Sequence, residues 1–182
     1  MIAAEDRRAL LGLARDAITA YVCGLPPPVT GHSPIMSRLA GVFVSLHRDG
    51  ALRGCIGHVE ADRTLARSVP EMAVAAASCD PRFPPVTAAE LGELDIELSV
   101  LGELEPIRGA GDIAVGRHGL LVEHQGRRGL LLPQVAVQWQ WDADTFLAQT
   151  CQKAGLPRDA WKGGASVRRF TAEVFAETEG VL

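Results

Sequence analysis

The feature that most constrains the fold is the pair Asp49–Gly50, which lies between two apolar runs rich in β-branched residues. An Asp-Gly pair tolerates the left-handed backbone that a two-residue turn requires, so it favours a β-hairpin. We therefore predict two antiparallel strands in "VFVSLHRDGALRGCIGHV", residues 42–59. With a two-residue turn, Cys55 is expected opposite Val44, and a slip by one residue would change its neighbours.

Periodicity predicts the other elements. Apolar residues recur at helical spacing over 6–22, whereas apolar and polar residues alternate over 94–104. A second hairpin is predicted over 118–133, around the turn pair Gln125–Gly126. The sequence then predicts a helix over 142–155, with Asp142 or Asp144 as the cap at its start and Gly155 as the cap at its end. It also predicts a last strand with Phe170, Ala172, Val174 and Ala176 on one face.

Two segments have the spacing of a helix-capping box, in which a Ser or Thr is followed three residues later by Glu. Ser68 and Glu71 predict that a helix begins there, with Pro70 in its first turn. Thr87 and Glu90 predict the start of a second, short helix. Since the strands come as hairpins, the sequence predicts antiparallel sheets in an α+β fold, and a Pro/Gly-rich seam between the hairpins suggests two lobes.

Charge and cysteine spacing argue against nucleic-acid binding and metal binding. The chain has 18 Lys and Arg against 22 Asp and Glu, so nucleic-acid binding is disfavoured. Its four cysteines form no C-x-x-C pair, so we expect free thiols and no metal. The chain has no G-x-G-x-x-G and no G-x-x-x-x-G-K-[ST] motif, so we expect no cofactor. No apolar run is long enough to span a membrane, and the N-terminus lacks the pattern of a signal peptide, so we expect a cytoplasmic protein without membrane contact.

The stretch "ALRGCIGHV" carries the first candidate site. Strand alternation places Arg53 and Cys55 on one face and Leu52, Gly54, Ile56 and His58 on the other, with Leu52 and Ile56 towards the core. An arginine near a thiol favours the thiolate, and Gly54 and Gly57 leave room for a ligand. Two interpretations stay open: Cys55 is a reactive thiol in an anion-binding pocket, or a small side chain packed among glycines.

The stretch "CDPRFPPV" carries the second candidate site. Asp80 begins a turn and two prolines stiffen the segment, so Arg82 is displayed by a loop that loses little entropy on binding. Arg82 is therefore a candidate clamp for a carboxylate, or it forms a structural salt bridge to Asp80 or Asp95. His118, at the entry to a strand, and Gln134, after the strand end at Pro133, are further candidates that ordinary turn chemistry also explains.

The stretches "GVFVSL", "LRGCIG", "DPRFPPV", "ELSVL", "HGLLV", "LLPQVA" and "FLAQTCQKAGLP" occur in the order found in the AMMECR-domain family, which the chain resembles from Val42 to Phe175. The resemblance implies a larger lobe with both termini, 1–104 plus 165–182, a smaller lobe, 105–164, and a cleft between them. It also implies that Leu52, Arg53, Gly54, Cys55, Ile56 and Gly57 face that cleft.

The family that the chain resembles has no established reaction, but its members often accompany a Memo-type protein and a radical SAM protein. One hypothesis is a thiol enzyme in which Cys55 is the nucleophile or redox thiol. Arg53 and Arg82 then hold an anionic substrate, and His58 or His118 supplies a proton. The other hypothesis is a non-catalytic module that grips a small molecule, peptide or protein partner, with Cys55 as packing.

Overall fold

The computed structural model describes residues 1–31 and 33–178. Its helices are α1 (Ala4–Cys23), α2 (Leu65–Ser78), α3 (Pro133–Gln138) and α4 (Ala143–Lys153). Its strands are β1 (Val42–Arg48), β2 (Ala51–His58), β3 (Leu94–Leu101), β4 (Glu105–Pro106), β5 (His118–His124), β6 (Arg127–Leu131) and β7 (Ser166–Ala176). The paired strands are antiparallel, which confirms the predicted α+β class.

The chain divides into two compact units, which we call unit 1 (Met1–Leu101 with Glu173–Leu182) and unit 2 (Gly102–Ala172). In unit 1 the strand order is β2-β1-β3, and α1 and α2 pack against this sheet. Fully buried residues from both helices and from β1 and β3 form its core, among them Leu10, Ile18, Leu65, Val69, Val44, Leu46, Ile96 and Leu98.

The β1–β2 hairpin forms where the sequence predicts it. Asp49 and Gly50 have φ of 52° and 75°, the positive values that a tight hairpin turn needs. The expected pairing of Cys55 with Val44 is wrong, because Arg53 is an additional residue at a β-bulge and shifts the register. Cys55 therefore lies opposite Ser45.

The same bulge corrects the position of Leu52, which the sequence assigns to the core. Leu52 pairs with His47, as the two-residue turn requires, but it is 38% exposed, because the additional residue Arg53 follows it and reverses the alternation. Beyond the bulge the prediction is correct: Gly54 pairs with the buried Leu46, and the half-buried Ile56 packs against the core.

Two glycines of "LRGCIG" are required by close packing. A Cβ on Gly54 would lie 2.2 Å from the carbonyl oxygen of Ala76 in α2, and a Cβ on Gly57 would lie 2.3 Å from the ring of Phe43. Such distances leave no space for a side chain at either position. At Gly54, helix α2 and strand β2 therefore approach each other as closely as their backbones allow.

The two capping boxes have different outcomes. Helix α2 begins at Leu65 rather than near Ser68, because Leu65 and Val69 are fully buried and extend the apolar face of the helix towards its N-terminus. The predicted box at Thr87 is confirmed: its N–H and hydroxyl donate to Glu90 at 2.8 and 2.9 Å. The element that it begins is a 3-10 helix, Ala88–Glu93.

Unit 2 is built on the second predicted hairpin, β5–β6, with β7 on the other side of β5. Asp142 caps α4 by accepting a 2.8 Å hydrogen bond from the N–H of Thr145, and Gly155, after the helix, has a φ of 70°. Both predictions are confirmed. The core of unit 2 includes Leu120, Val122, Phe146 and Leu147.

Two sequence predictions in this part of the chain are wrong. A short helix, α3, begins at Pro133, where we predicted the end of a strand, because proline is favourable in the first turn of a helix. In β7 the buried side chains include Phe170 and Phe175, five residues apart, rather than a single alternating face. Phe175 belongs to the core of unit 1, whereas the start of the strand belongs to unit 2, so the buried face changes along it.

Candidate functional site

The half-buried thiol of Cys55 lies in the middle of β2. The hydroxyl of Ser45, directly opposite on β1, donates a hydrogen bond of 3.3 Å to its sulfur. Ser45 is 7% exposed and pairs on its other side with Glu97 of β3, so the three residues form one row across the sheet. A hydroxyl that donates to sulfur stabilises negative charge there.

The buried carboxylate of Asp80 joins Cys55 to Arg82. One oxygen, Oδ2, accepts hydrogen bonds from the backbone N–H of Cys55 at 2.8 Å and from Nη2 of Arg82 at 2.6 Å. The other, Oδ1, accepts from the backbone N–H and the Nε of Arg82 at 3.1 and 2.9 Å. This bidentate ion pair, a strong and directional arrangement, fixes the guanidinium near Cys55.

The electrostatics of this group are consistent with its geometry. Hydrogen bonds from the Arg82 side chain, and then from the N–H groups of Cys55 and Arg82, hold the pKa of Asp80 well below its usual range. The same ion pair raises the pKa of Arg82, and charge on Cys55 raises it further. The Arg82 side chain is 54% exposed, so its guanidinium is accessible to ligands in solution although it is paired with Asp80.

Arg53 is committed to contacts with the chain itself. Its Nε and Nη2 donate to Glu90 at 2.8 and 3.3 Å, and its Nη1 donates to the carbonyl of Pro84 at 2.9 Å. Hydrogen bonds from Arg53 and then from the N–H of Thr87 lower the pKa of Glu90 to about 2. The guanidinium thus ties β2 to the segment 84–90, and we assign Arg53 a positioning role.

The loop that carries Arg82 is anchored at both ends. The N–H of Phe83 donates to the carbonyl of Asp80 at 3.1 Å, and the N–H of Val86 donates to the carbonyl of Ala77 at 2.7 Å. The Cζ atoms of Arg53 and Arg82 lie 6.0 and 5.4 Å from the centre of the Phe83 ring. These contacts, together with the prolines, limit the movement of Arg82.

The two candidate histidines make other contacts. His58 ends β2, and its buried Nε2 has no hydrogen-bond partner among the described residues. His118 belongs to unit 2, where its Nδ1 accepts a 3.0 Å hydrogen bond from the N–H of Ala114. Burial, and then the charges of Arg169 and Arg117, lower the pKa of His118. Within the described residues, neither histidine hydrogen-bonds to the Cys55 sulfur.

The structure therefore groups some predicted site residues and separates others. Cys55, Asp80 and Arg82 form one cluster, whereas the exposed Gln134 lies on α3 in unit 2. Sequence reasoning missed Ser45, and it treated Glu90 as a capping residue alone. The strand register would reveal Ser45, but only once the bulge at Arg53 is known.

Among the described residues, no group of three or more His, Cys, Asp and Glu side chains is arranged to hold a metal ion. Over the same residues, no helix has the length and apolar character to cross a membrane. The four cysteines are free thiols: Cys23 and Cys79 are exposed, and Cys151 is buried.

Comparison with known proteins identifies relatives along nearly the whole chain. A family model described as AMMECR1 matches residues 11–175. A Methanothermobacter thermautotrophicus protein is 43% identical, with 95% of both chains covered. A Thermococcus gammatolerans protein is 47% identical over 92% of this chain and 88% of the relative. The crystal structure of an uncharacterized Pyrococcus horikoshii protein has a TM-score of 0.86 at 44% identity, covering 92% of this chain and 89% of that one.

Proposed function

The chain belongs to the AMMECR1 family, and we propose that its unit 1 carries a thiol site for an anionic ligand, with Cys55 as the thiol and Arg82 as the anion-binding group. The observation that carries the proposal is the double role of Asp80. Its carboxylate accepts the backbone N–H of Cys55 and also holds the Arg82 guanidinium, so one buried group fixes a cation next to the backbone of the residue that carries the half-buried thiol.

The chemistry that these groups support is attack by the ionised sulfur on an electrophilic carbon of a substrate that also carries a carboxylate or another anionic group. The S–C bond forms as the bond from that carbon to a leaving group breaks, and the leaving group departs with the electron pair. The Ser45 hydroxyl donates a hydrogen bond to the sulfur, and the Arg82 guanidinium binds the anionic group of the ligand. The thiol proton leaves to solvent, since neither candidate histidine hydrogen-bonds to the sulfur. Arg53 contributes by holding the loop in place.

Paired alkylation reagents test this proposal on the unmodified protein. Iodoacetate and iodoacetamide alkylate the same sulfur by displacing iodide, but only iodoacetate is an anion, so their rate ratio removes the effect of exposure. Attraction to a nearby cation is worth about 1 kcal/mol, or about fivefold in rate. By peptide mass spectrometry, the iodoacetate preference of Cys55 should exceed that of the exposed Cys23 by about this factor. Equal ratios at both sites would contradict the proposal.

A second candidate is a non-catalytic binding module, favoured by the lack of a histidine on the thiol among the described residues. In that case Arg82 binds a carboxylate of a protein partner, for which a Memo-type protein and a radical SAM protein are the first to test. With purified proteins, Arg82→Ala should abolish partner binding while Cys55→Ala preserves it. Loss of binding in both variants would favour the thiol site instead.

A further inference from the structure

Unit 2 presents two stacked tryptophans on its surface. The ring centres of Trp139 and Trp141 are 6.2 Å apart, with their planes 16° from parallel. Trp141 packs against the core of unit 2, whereas Trp139 is 63% exposed and the neighbouring Val137 is 56% exposed. Gln140, between the two tryptophans in the sequence, has a φ of 53°, a left-handed backbone that few residues other than glycine adopt.

The tryptophans line a groove together with α4. Apolar side chains of Leu131 and Val135 and the polar side chains of Gln149, Gln152 and Lys153 complete its lining. Indole rings and amide donors are the groups that recognise a polyproline II segment, because pyrrolidine rings pack on aromatic faces and the free backbone carbonyls accept hydrogen bonds. The groove, which we call the Trp groove, has the chemistry of such a receptor.

The same chain exposes a segment of the matching kind, "LPPPV", residues 25–29. Three successive prolines fix φ and restrict the preceding residue, so the segment favours polyproline II without a further entropy cost. Pro26 and Pro27 are exposed, and Leu25 and Val29, at its ends, are 58% and 96% exposed. Both elements therefore leave apolar side chains accessible to another molecule.

We propose that the Trp groove of one molecule binds residues 25–29 of a second copy of this chain. The chain carries both the aromatic receptor and the proline-rich ligand, and both are exposed within one molecule. Such a contact joins two different surfaces, so it produces head-to-tail chains or rings rather than a symmetric pair. The preformed polyproline II geometry lowers the entropy lost on association.

Two variants test the proposal by complementation. Trp139→Ala removes the receptor, and Pro26→Ala/Pro27→Ala removes the ligand. Sedimentation velocity should show concentration-dependent association for the wild type, monomers for each variant alone, and heterodimers when the two variants are mixed. Val115→Ala and Leu39→Ala, which remove other exposed apolar side chains, should associate like the wild type. A monomeric wild type, or equal losses in these controls, would overturn the proposal.

A peptide of residues 24–31, "GLPPPVTG", separates the groove from its occupant. When this peptide is titrated into the wild-type protein, it should change the tryptophan fluorescence and dissociate the oligomers into monomers. Replacing its prolines by alanine, or using the Trp139→Ala protein, should weaken binding more than tenfold. If the peptide does not bind, the groove is not a polyproline receptor. If it binds a wild type that stays monomeric, the occupant is a different proline-rich chain and the second-copy proposal is wrong.

Discussion

The backbone N–H of Cys55 donates a 2.8 Å hydrogen bond to the buried carboxylate of Asp80. This contact links the middle of β2 to the loop that follows α2, so the position of the thiol and the position of the loop depend on each other. Because the same carboxylate also pairs with Arg82, the backbone of Cys55 and the guanidinium are held by one group.

Replacing Asp80 by Asn should destabilise the protein by about 2 kcal/mol, because a buried acceptor of several charge-assisted hydrogen bonds loses its charge. The amide keeps the size of the side chain, so the loss reports on charge and hydrogen bonding. Urea unfolding measures it. Asp16→Asn, an exposed change on α1, should stay within about 0.5 kcal/mol of the wild type.

Stability should fall as the pH drops from about 4.5 towards 2. Folding lowers the pKa of Glu90 to about 2 and also lowers that of Asp80, so both carboxylates favour the folded state above their unfolded pKa values of about 4. That contribution is lost as the pH falls through the folded pKa. In Glu90→Gln, urea midpoints should depend less on pH in this window, whereas Glu5→Gln, an exposed change, should keep the wild-type slope. Identical slopes in all three proteins would contradict the assignment.

Two glycines should respond in opposite directions to alanine. Gly54→Ala places a Cβ against the backbone carbonyl of Ala76. The substitution should lower the free energy of unfolding by about 1–3 kcal/mol, because neither the Cβ nor the carbonyl can move aside as a flexible side chain would. Gly12→Ala, in the exposed interior of α1 with nothing within 4 Å, should stabilise the protein by about 0.5–1 kcal/mol. Thermal unfolding compares them, and an unaffected Gly54→Ala would show that α2 and β2 are not in close contact.

Arg53→Gln should loosen the segment 84–90 with a smaller effect on the β1–β2 hairpin. The substitution removes the paired hydrogen bonds to Glu90 and the bond to the Pro84 carbonyl. Hydrogen exchange should then rise at amides of 86–93, while those of β1 stay protected by their pairing with β3. Exchange that rises equally in both segments would indicate global destabilisation and would contradict a local positioning role.

Much of the fold could be predicted from the sequence, because strong local signals decide it. Asp49–Gly50 and Gln125–Gly126 have positive φ values at both positions of their turns, which few other residue pairs tolerate. The start of α2 could not be placed, because tertiary burial of Leu65 and Val69 outweighs the capping signal at Ser68. The prediction of a single buried face for β7 was wrong for a similar reason, since the two ends of this strand contribute to different cores.

The candidate site was predictable only in its parts. The sequence identified Cys55 and Arg82 as candidate site residues. For Arg82 it left two alternatives open, a clamp for a ligand carboxylate and a structural salt bridge, and the salt bridge to Asp80 is present. The single inserted residue at Arg53 decided the rest, because it exchanged Val44 for Ser45 opposite the thiol and exposed Leu52. A β-bulge depends on packing across the sheet, and no local sequence signal marked it here.

The measurement that tests the central claim most directly is the iodoacetate-to-iodoacetamide rate ratio of Cys55 in Arg82→Gln. Arg8→Gln, which removes an exposed charge on α1, is the matched control. If Arg82 is the cation that serves the thiol site, the ratio at Cys55 falls about fivefold in Arg82→Gln, to the value at Cys23, and does not change in Arg8→Gln. A ratio at Cys55 that is the same in Arg82→Gln as in the wild type would contradict the account.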